Sequence, residues 1–306
     1  YVNNEKDPAS ISQNIVRTLY QDRTGIIWLG LYKSGINYFE PYEKPILHYK
    51  QDLRPGGLSG NKVKAFCEDG ASTLWVGTDG GGLNKFDRKT KRFNAYKPGR
   101  SPGSLSSEAV LDVCEDSYNN LWVATWGGGL NVLDRKTNSF KHYYHQPGDE
   151  QSLSSNNVSC IAEDNAKNLW VATFDEGLNI FDRTTKKFTR IPCYLKNEKS
   201  RIVCMAKDHN GYLWIGTNSS GIGVLDPVTK KFIKQFQYHD DDASISSNGI
   251  YDIFIDSKNR VWIGTDHGLN LYHAQQNKFT VWQTDDGLLH DVVAGILEDD
   301  QGKLWI

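Results

Sequence analysis

Short runs of four to seven residues, rich in β-branched and aromatic side chains and bounded by Gly, Asp, Asn or Ser, recur from one end of the chain to the other. That is the pattern of antiparallel strands joined by tight turns. One stretch shows the unit: Val63 to Asp69, Ser72-Thr73-Leu74-Trp75-Val76-Gly77-Thr78, Leu83 to Asp87 and Arg92 to Tyr96, predicted as four strands. In the second run the residues beside the tryptophans are Ile27/Leu29, Leu74/Val76, Leu121/Val123, Leu169/Val171, Leu213/Ile215, Val261/Ile263 and Leu304/Ile306. Alternation along a strand puts these aliphatic pairs on one face and the indole on the other. A strand apolar on both faces is buried between two further layers, whereas a strand of a two-sheet sandwich would turn one polar face to water.

The tryptophan run appears at 28, 75, 122, 170, 214, 262 and 305, in steps of 47, 47, 48, 44, 48 and 43 residues. A period of this size belongs to propeller blades of four strands. The expected fold is therefore all-β: one β-propeller over residues 1–306, of the seven-bladed type, with six complete repeats and a truncated seventh. The repeats fall at about 13–49, 61–96, 108–144, 156–191, 201–236, 248–282 and 291–306. Two residues after each of the first six tryptophans stands Gly30, Gly77, Ala124, Ala172, Gly216 or Gly264, leaving room for a bulky group from the next blade. Trp28, Trp75, Trp122, Trp170, Trp214, Trp262 and Trp305 are accordingly expected to be structural, packed between blades. Asp22-Arg23-Thr24-Gly25 and Asp208-His209-Asn210-Gly211 carry a type I turn signature between the first two strands. Gly80-Gly81-Gly82 and Gly127-Gly128-Gly129 read as hairpin turns, since no helix start or lysine follows at the spacing of a phosphate loop.

Composition narrows the classes of function. With 35 basic against 37 acidic residues and a formal charge of −2, the chain offers no field for nucleic acid or an anionic membrane. No run of eighteen apolar residues is present, so none reads as a membrane-spanning helix. Cys67, Cys114, Cys160 and Cys204 fall on first strands of successive repeats and Cys193 on an outer strand, and sheets packed about 10 Å apart place similar positions beyond disulfide reach. They read as small apolar residues, and no zinc spacing occurs. No metal and no cofactor is expected.

Asp164-Asn-Ala-Lys-Asn-Leu-Trp-Val-Ala-Thr173, Gly177-Leu-Asn-Ile-Phe-Asp-Arg-Thr-Thr-Lys-Lys-Phe188 and Ser152-Leu-Ser-Ser-Asn156 resemble the two-component regulator propeller repeats, and the resemblance recurs in every unit. It implies the periplasmic sensor region of a hybrid two-component system, which in gut Bacteroidetes detects oligosaccharides from complex glycans. It also implies a neighbouring propeller, an immunoglobulin-like domain, a membrane helix, a cytoplasmic histidine kinase with a DNA-binding regulator, and homodimer contacts. Tyr1 to Ser12 parallel the stretch from Tyr143 and read as the tail of an earlier unit, while Ile306 falls inside a second strand, so the chain reads as a piece of such a region.

Positions shared by every blade are explained by packing, so recognition is sought where the repeat varies. The residue directly after the second strand is Tyr32, Asp79, Trp126, Phe174, Asn218 or Asp266, on the face that also carries the long connections between blades. Trp126 and Phe174 are read as a platform for a sugar ring, with Asp175, Glu176, Asp266 and His267 as hydrogen-bonding neighbours. Lys33 beside Tyr32, with Arg54, Lys97 and Arg100 in the connections, would meet carboxylate or sulfate groups. The competing reading is that the two aromatics cover the core or face another domain.

On the opposite face the tips Asp87-Arg88-Lys89-Thr90-Lys91-Arg92, Asp134-Arg135-Lys136-Thr137 and Asp182-Arg183-Thr184-Thr185-Lys186-Lys187 read as solvated charge. Two alternatives to a sensor remain: a glycan-cleaving hydrolase or lyase, and a protein-interaction scaffold. Glycoside hydrolysis needs two carboxylates about 5–9.5 Å apart. Asp175 and Glu176 are consecutive and Asp69, Asp116, Asp164 and Asp208 are turn formers, so no catalytic residue is assigned and this segment is read as non-enzymatic.

Overall fold

The second strand of each of the six complete repeats is buried at all five of its positions and lies inside a four-stranded antiparallel meander. The computed structural model describes residues 1–7, 9–40, 46–195, 198–241 and 243–306. Pro8 and the part of the first expected repeat at 41–45 lie outside the described residues. The chain divides into two units, Tyr1–Tyr144 and His145–Ile306.

The first unit holds three blades. These are β1 (Val16–Gln21), β2 (Ile27–Leu31), β3 (Ile36–Phe39) and β4 (Leu47–Tyr49); β5 (Val63–Glu68), β6 (Leu74–Thr78), β7 (Gly82–Asp87) and β8 (Arg92–Tyr96); and β9 (Val110–Glu115), β10 (Leu121–Thr125), β11 (Leu130–Asp134) and β12 (Ser139–Tyr143). The second unit holds β13 (Val158–Glu163), β14 (Leu169–Thr173), β15 (Gly177–Phe181) and β16 (Phe188–Ile191), then a small hairpin of β17 (Tyr194–Leu195) and β18 (Glu198–Lys199). Two further blades follow: β19 (Ile202–Lys207), β20 (Leu213–Thr217), β21 (Ile222–Asp226) and β22 (Lys231–Phe236); and β23 (Ile250–Ile255), β24 (Val261–Thr265), β25 (Gly268–His273) and β26 (Lys278–Trp282). Beyond a one-turn 3-10 helix lie β27 (Leu297–Glu298) and β28 (Leu304–Trp305). Within each unit the first strands pack on one another, β1 on β5 and β5 on β9, β13 on β19 and β19 on β23. Successive four-stranded meanders with adjacent first strands make a β-propeller.

The core lies between blades rather than inside them. Trp28 packs with Val63, Leu74 and Val76 of the second blade, Trp75 with Val110, Leu121 and Val123 of the third, and Trp214 with Ile250, Val261 and Ile263 of the sixth. Each indole face thus meets the aliphatic face of the next blade's second strand. The small residue two places on is required by the same contact: a Cβ on Gly77 would sit 2.7 Å from Val110 Cγ1, and one on Gly216 2.7 Å from Ile250 Cγ2. Trp262 meets Val293, Ile296 and Leu304 in the same manner, so the residues around β27 and β28 occupy the next position along the second unit.

The indole nitrogen is also fixed. Each Nε1–H donates to the aspartate six residues earlier, Trp28 to Asp22, Trp75 to Asp69, Trp122 to Asp116, Trp170 to Asp164, Trp214 to Asp208, Trp262 to Asp256 and Trp305 to Asp299, at 2.6–3.1 Å. The same aspartates cap the turn, as where Asp69 accepts from the N–H groups of Ala71 and Thr73. Gly25 and Gly211 close two of these turns with φ of 86° and 92°, but Ser72 holds the equivalent place at φ 60°. A left-handed conformation costs a non-glycine side chain about 1–2 kcal/mol, partly offset by the extra unfolded-state entropy of glycine. Ser72→Gly is therefore expected to stabilise the first unit by about 0.5 kcal/mol, read as a higher urea midpoint, with no change if the turn already relieves the strain.

The basic tips are not wholly solvated. Arg88 reaches back to Asp22 at 2.6 Å and to Glu68 at 3.3 Å, and Arg135 to Asp69 at 2.7 Å and Glu115 at 2.6 Å, so each arginine joins its own blade to the preceding one. Arg183 pairs with Glu163 at 2.8 Å. Those acids continue the link, since Glu68 accepts the Arg23 N–H at 2.8 Å, and Glu298 accepts from Ser257 in the corresponding way. The lysines of the tips, such as Lys89 and Lys136, do remain exposed. Cys193 also departs from expectation: it lies past the end of β16, buried with Leu195 and Ile202, and not on the strand. The five cysteines are free thiols, and burial pushes those of Cys67 and Cys193 up to about 12.

Candidate functional site

On the first five blades the variable residue after the second strand is placed by a backbone hydrogen bond to the residue just before the blade's first strand. Tyr32 donates to Ile15, Asp79 to Lys62, Trp126 to Ala109, Phe174 to Asn157 and Asn218 to Arg201, at 2.8–3.2 Å. The same pairs of positions therefore meet on these five blades, and the side chains they carry decide the local chemistry.

The two expected platform residues differ in setting. Trp126 is 44 % exposed and belongs to the first unit. Phe174 belongs to the second unit and is half-buried, with the Arg201 guanidinium 5.9 Å from its ring centroid. It is not the freely exposed aromatic that the sequence suggests. Asp175 is half-buried and accepts from Asn157 Nδ2 at 3.3 Å through one oxygen, while the other, Oδ1, is buried without a hydrogen-bond partner. Glu176 forms an exposed ion pair with Lys199.

In the same unit, Asp266 and His267 face each other, His267 Nδ1 standing 3.1 Å from Asp266 Oδ1. Burial opposes the charge on Asp266, but hydrogen bonds from Ser247 and His267 prevail and hold its carboxyl below the usual range. His267 also lines a cleft of about 840 Å3 with Tyr238, His239, Asn248, Lys278 and Gln283. In the first unit a second cleft of about 710 Å3 lies between the 50–58 connection and β8, lined by His48, Gln51, Arg54 and Arg92. Arg54 is engaged there with Asp52 at 2.6 Å. Lys97 and Arg100 are exposed on the connection after β8.

Tyr32 is set among cations. The Arg17 guanidinium carbon lies 4.8 Å from its ring centroid and Lys33 Nζ 5.0 Å from it. Arg17 escapes a sequence reading because it is placed by a β-bulge, which no periodicity announces. Among the described residues no group of three or more His, Cys, Asp or Glu side chains is arranged to hold a metal ion, and no helix is long and apolar enough to cross a membrane.

These repeats are those of a known family. The two component regulator propeller family matches the chain six times, at residues 10–33, 57–80, 104–127, 152–175, 198–219 and 244–267, and the chain belongs to it. No curated protein matches the chain in sequence. Among solved structures, the extracellular domain of the hybrid two component system BT3049 from B. thetaiotaomicron is similar at 24 % identity and a TM-score of 0.72, over 100 % of this chain and 45 % of that one. The extracellular domain of the hybrid two component system BT4673 from the same organism is similar at 22 % identity and a TM-score of 0.77, over 94 % of this chain and 38 % of that one. This chain therefore spans less than half the length of either. Virginiamycin B lyase from Staphylococcus aureus shares the fold at 13 % identity and a TM-score of 0.69, over 94 % of this chain and 89 % of that one.

Proposed function

We propose that this chain is an extracytoplasmic, ligand-sensing part of a hybrid two-component signalling protein, and that its ligand is an oligosaccharide. Membership of the regulator propeller family is the observation that carries the reading. The extracellular domains with the same fold agree with it. A rigid stack of blades suits a sensor whose ligand alters packing between domains or subunits rather than the blades themselves. Such a protein would reside in the periplasm, beside a second propeller and an immunoglobulin-like domain, as a homodimer that passes the change to a histidine kinase.

The oligosaccharide part of the reading rests on Trp126 and its counterpart Phe174. Replacing both with Ala is expected to weaken binding of the recognised oligosaccharide at least about ten-fold, or ~1.4 kcal/mol, in a calorimetric titration. The melting temperature should stay close to that of the parent. Unchanged affinity would remove these residues from the site, and a large fall in melting temperature would assign them to the core. Because the same fold serves a lyase, the titrated mixtures should also be checked for new reducing ends and unsaturated products. Turnover would replace the sensing reading with an enzymatic one.

A further inference from the structure

Every complete blade has the same irregularity in its first strand. The ladder skips one residue near the strand's start, so that Val16 pairs with Leu31 but Thr18 with Gly30, Val63 with Thr78 but Ala65 with Gly77, and likewise in the other four. The skipped residues are Arg17, Lys64, Leu111, Ser159, Val203 and Tyr251. A bulge releases its residue from the pleat and re-aims its side chain, and bulges are over-represented next to functional sites. Packing does not dictate these positions, as their chemical range shows. Only the first two blades, adjacent within one unit, place cations there.

Around these two, further charges gather. Lys62, just before β5, stands 3.7 Å from Asp79, and Lys33 shares the Tyr32 ring with Arg17. The half-buried Lys64 ammonium is held below the ordinary lysine value, first by burial and then by Arg17, with Asp79 pulling weakly the other way and Lys62 adding to the repulsion. Arg17, Lys33, Lys62 and Lys64 thus gather around Tyr32 and Asp79, in a chain whose overall charge is −2. Like charges brought together and partly desolvated raise the free energy of the unliganded state, and an anion of matching size relieves it.

We propose that Arg17 and Lys64, with Lys33, Lys62 and the Tyr32 ring, form a binding site for the anionic group of an acidic sugar, a carboxylate or a sulfate. The cations take the charged substituent, and the Tyr32 ring holds Arg17 and Lys33 beside it. The proposal rests on the oligosaccharide reading above and narrows it to acidic members. Asp79, 3.7 Å from Lys62, tempers the positive charge of the site.

Three matched disaccharides test the site by titration calorimetry: one with a uronate carboxylate, one O-sulfated, and one neutral. At least one acidic probe should bind about ten-fold more tightly than the neutral one, and 0.5 M salt should erode the difference. Arg17→Gln combined with Lys64→Gln should abolish the preference, bringing the acidic probes down to the affinity of the neutral one. Lys64→Gln alone, which disturbs no ring contact, should lose about three-fold, while Asp79→Asn should tighten acidic binding. The uronate and sulfate arms tell the two substituents apart. Equal binding of all three probes, or a preference that survives the double variant, overturns the anion site and leaves oligosaccharide sensing standing. Absence of binding by any of the three overturns the site as well, and sensing falls with it only if a wider panel of neutral and acidic oligosaccharides is also not bound.

Discussion

Trp170→Ala is expected to destabilise the second unit by ~3–5 kcal/mol, against a typical total of about 5–15 kcal/mol for a folded domain. The indole is completely buried and packs with Ile202, Leu213, Ile215 and Leu225 of the next blade, so truncation opens a cavity between two sheets that cannot close without moving one of them. It also removes the donor that satisfies Asp164 Oδ2 at 2.8 Å, although Asn168 still donates to that oxygen. At about 2–4 °C per kcal/mol the melting temperature should fall by roughly 6–20 °C. Trp126→Ala, which removes a 44 % exposed ring, is expected to change stability by no more than about 0.5 kcal/mol. Thermal melts followed by far-ultraviolet circular dichroism separate the two cases. Equal shifts for the two variants would contradict the division between structural and surface tryptophans.

That division was legible in the sequence because the same solution is written out at every blade. All five positions of β2, β6, β10, β14, β20 and β24 are buried, so their composition is constrained from both faces and recurs visibly. The aspartates were legible as turn formers, yet their bond to the indole was not, even though the six-residue spacing is constant. The turn role already accounts for an aspartate at that place, so the sequence leaves no residue of signal for the second role. The Arg88 and Arg135 links were hidden for a different reason. Each spans 66 residues, and a charged tip looks the same in water as when it folds back onto the neighbouring blade. The bulged positions were invisible altogether, since Arg17 and Lys64 share no residue type with Leu111, Ser159, Val203 or Tyr251. Phe174 shows the limit for a single candidate: its half-burial is set by surroundings outside its own repeat, where the Arg201 guanidinium lies 5.9 Å from its ring centroid.

Asp69→Ala should be as damaging as the loss of a buried tryptophan, costing ~3–5 kcal/mol, the usual outcome when one partner of a buried charged network is removed. Its Oδ1 accepts the N–H groups of Ala71 and Thr73 at 3.0 and 2.9 Å, and its Oδ2 accepts Trp75 Nε1 at 2.9 Å and Arg135 at 2.7 Å. Four donors would lose this acceptor, one of them the Arg135 guanidinium, which keeps its ion pair with Glu115. Burial alone would raise the Asp69 pKa, but hydrogen bonds from Trp75 and Arg135 outweigh it and hold the carboxyl below its ordinary value of 3.8. Asp22, Asp256 and Asp299 are shifted the same way, each by burial outweighed by its hydrogen bonds. A carboxyl whose folded pKa lies below its unfolded one binds fewer protons when folded. Its contribution is complete above the unfolded value and is lost as the pH falls through the folded one. The parent should therefore hold a steady urea midpoint near neutrality and lose stability steeply below about pH 4, whereas Asp69→Ala should start lower at pH 7 and decline less on acidification. Arg135→Met gives a smaller loss, about 1.5–3 kcal/mol, because Asp69 keeps its three neutral donors and the arginine is 35 % exposed. A midpoint for Asp69→Ala equal to that of the parent at pH 7, or an acid limb as steep as the parent's, would mean that the aspartates shape the turns without bracing one blade against the next.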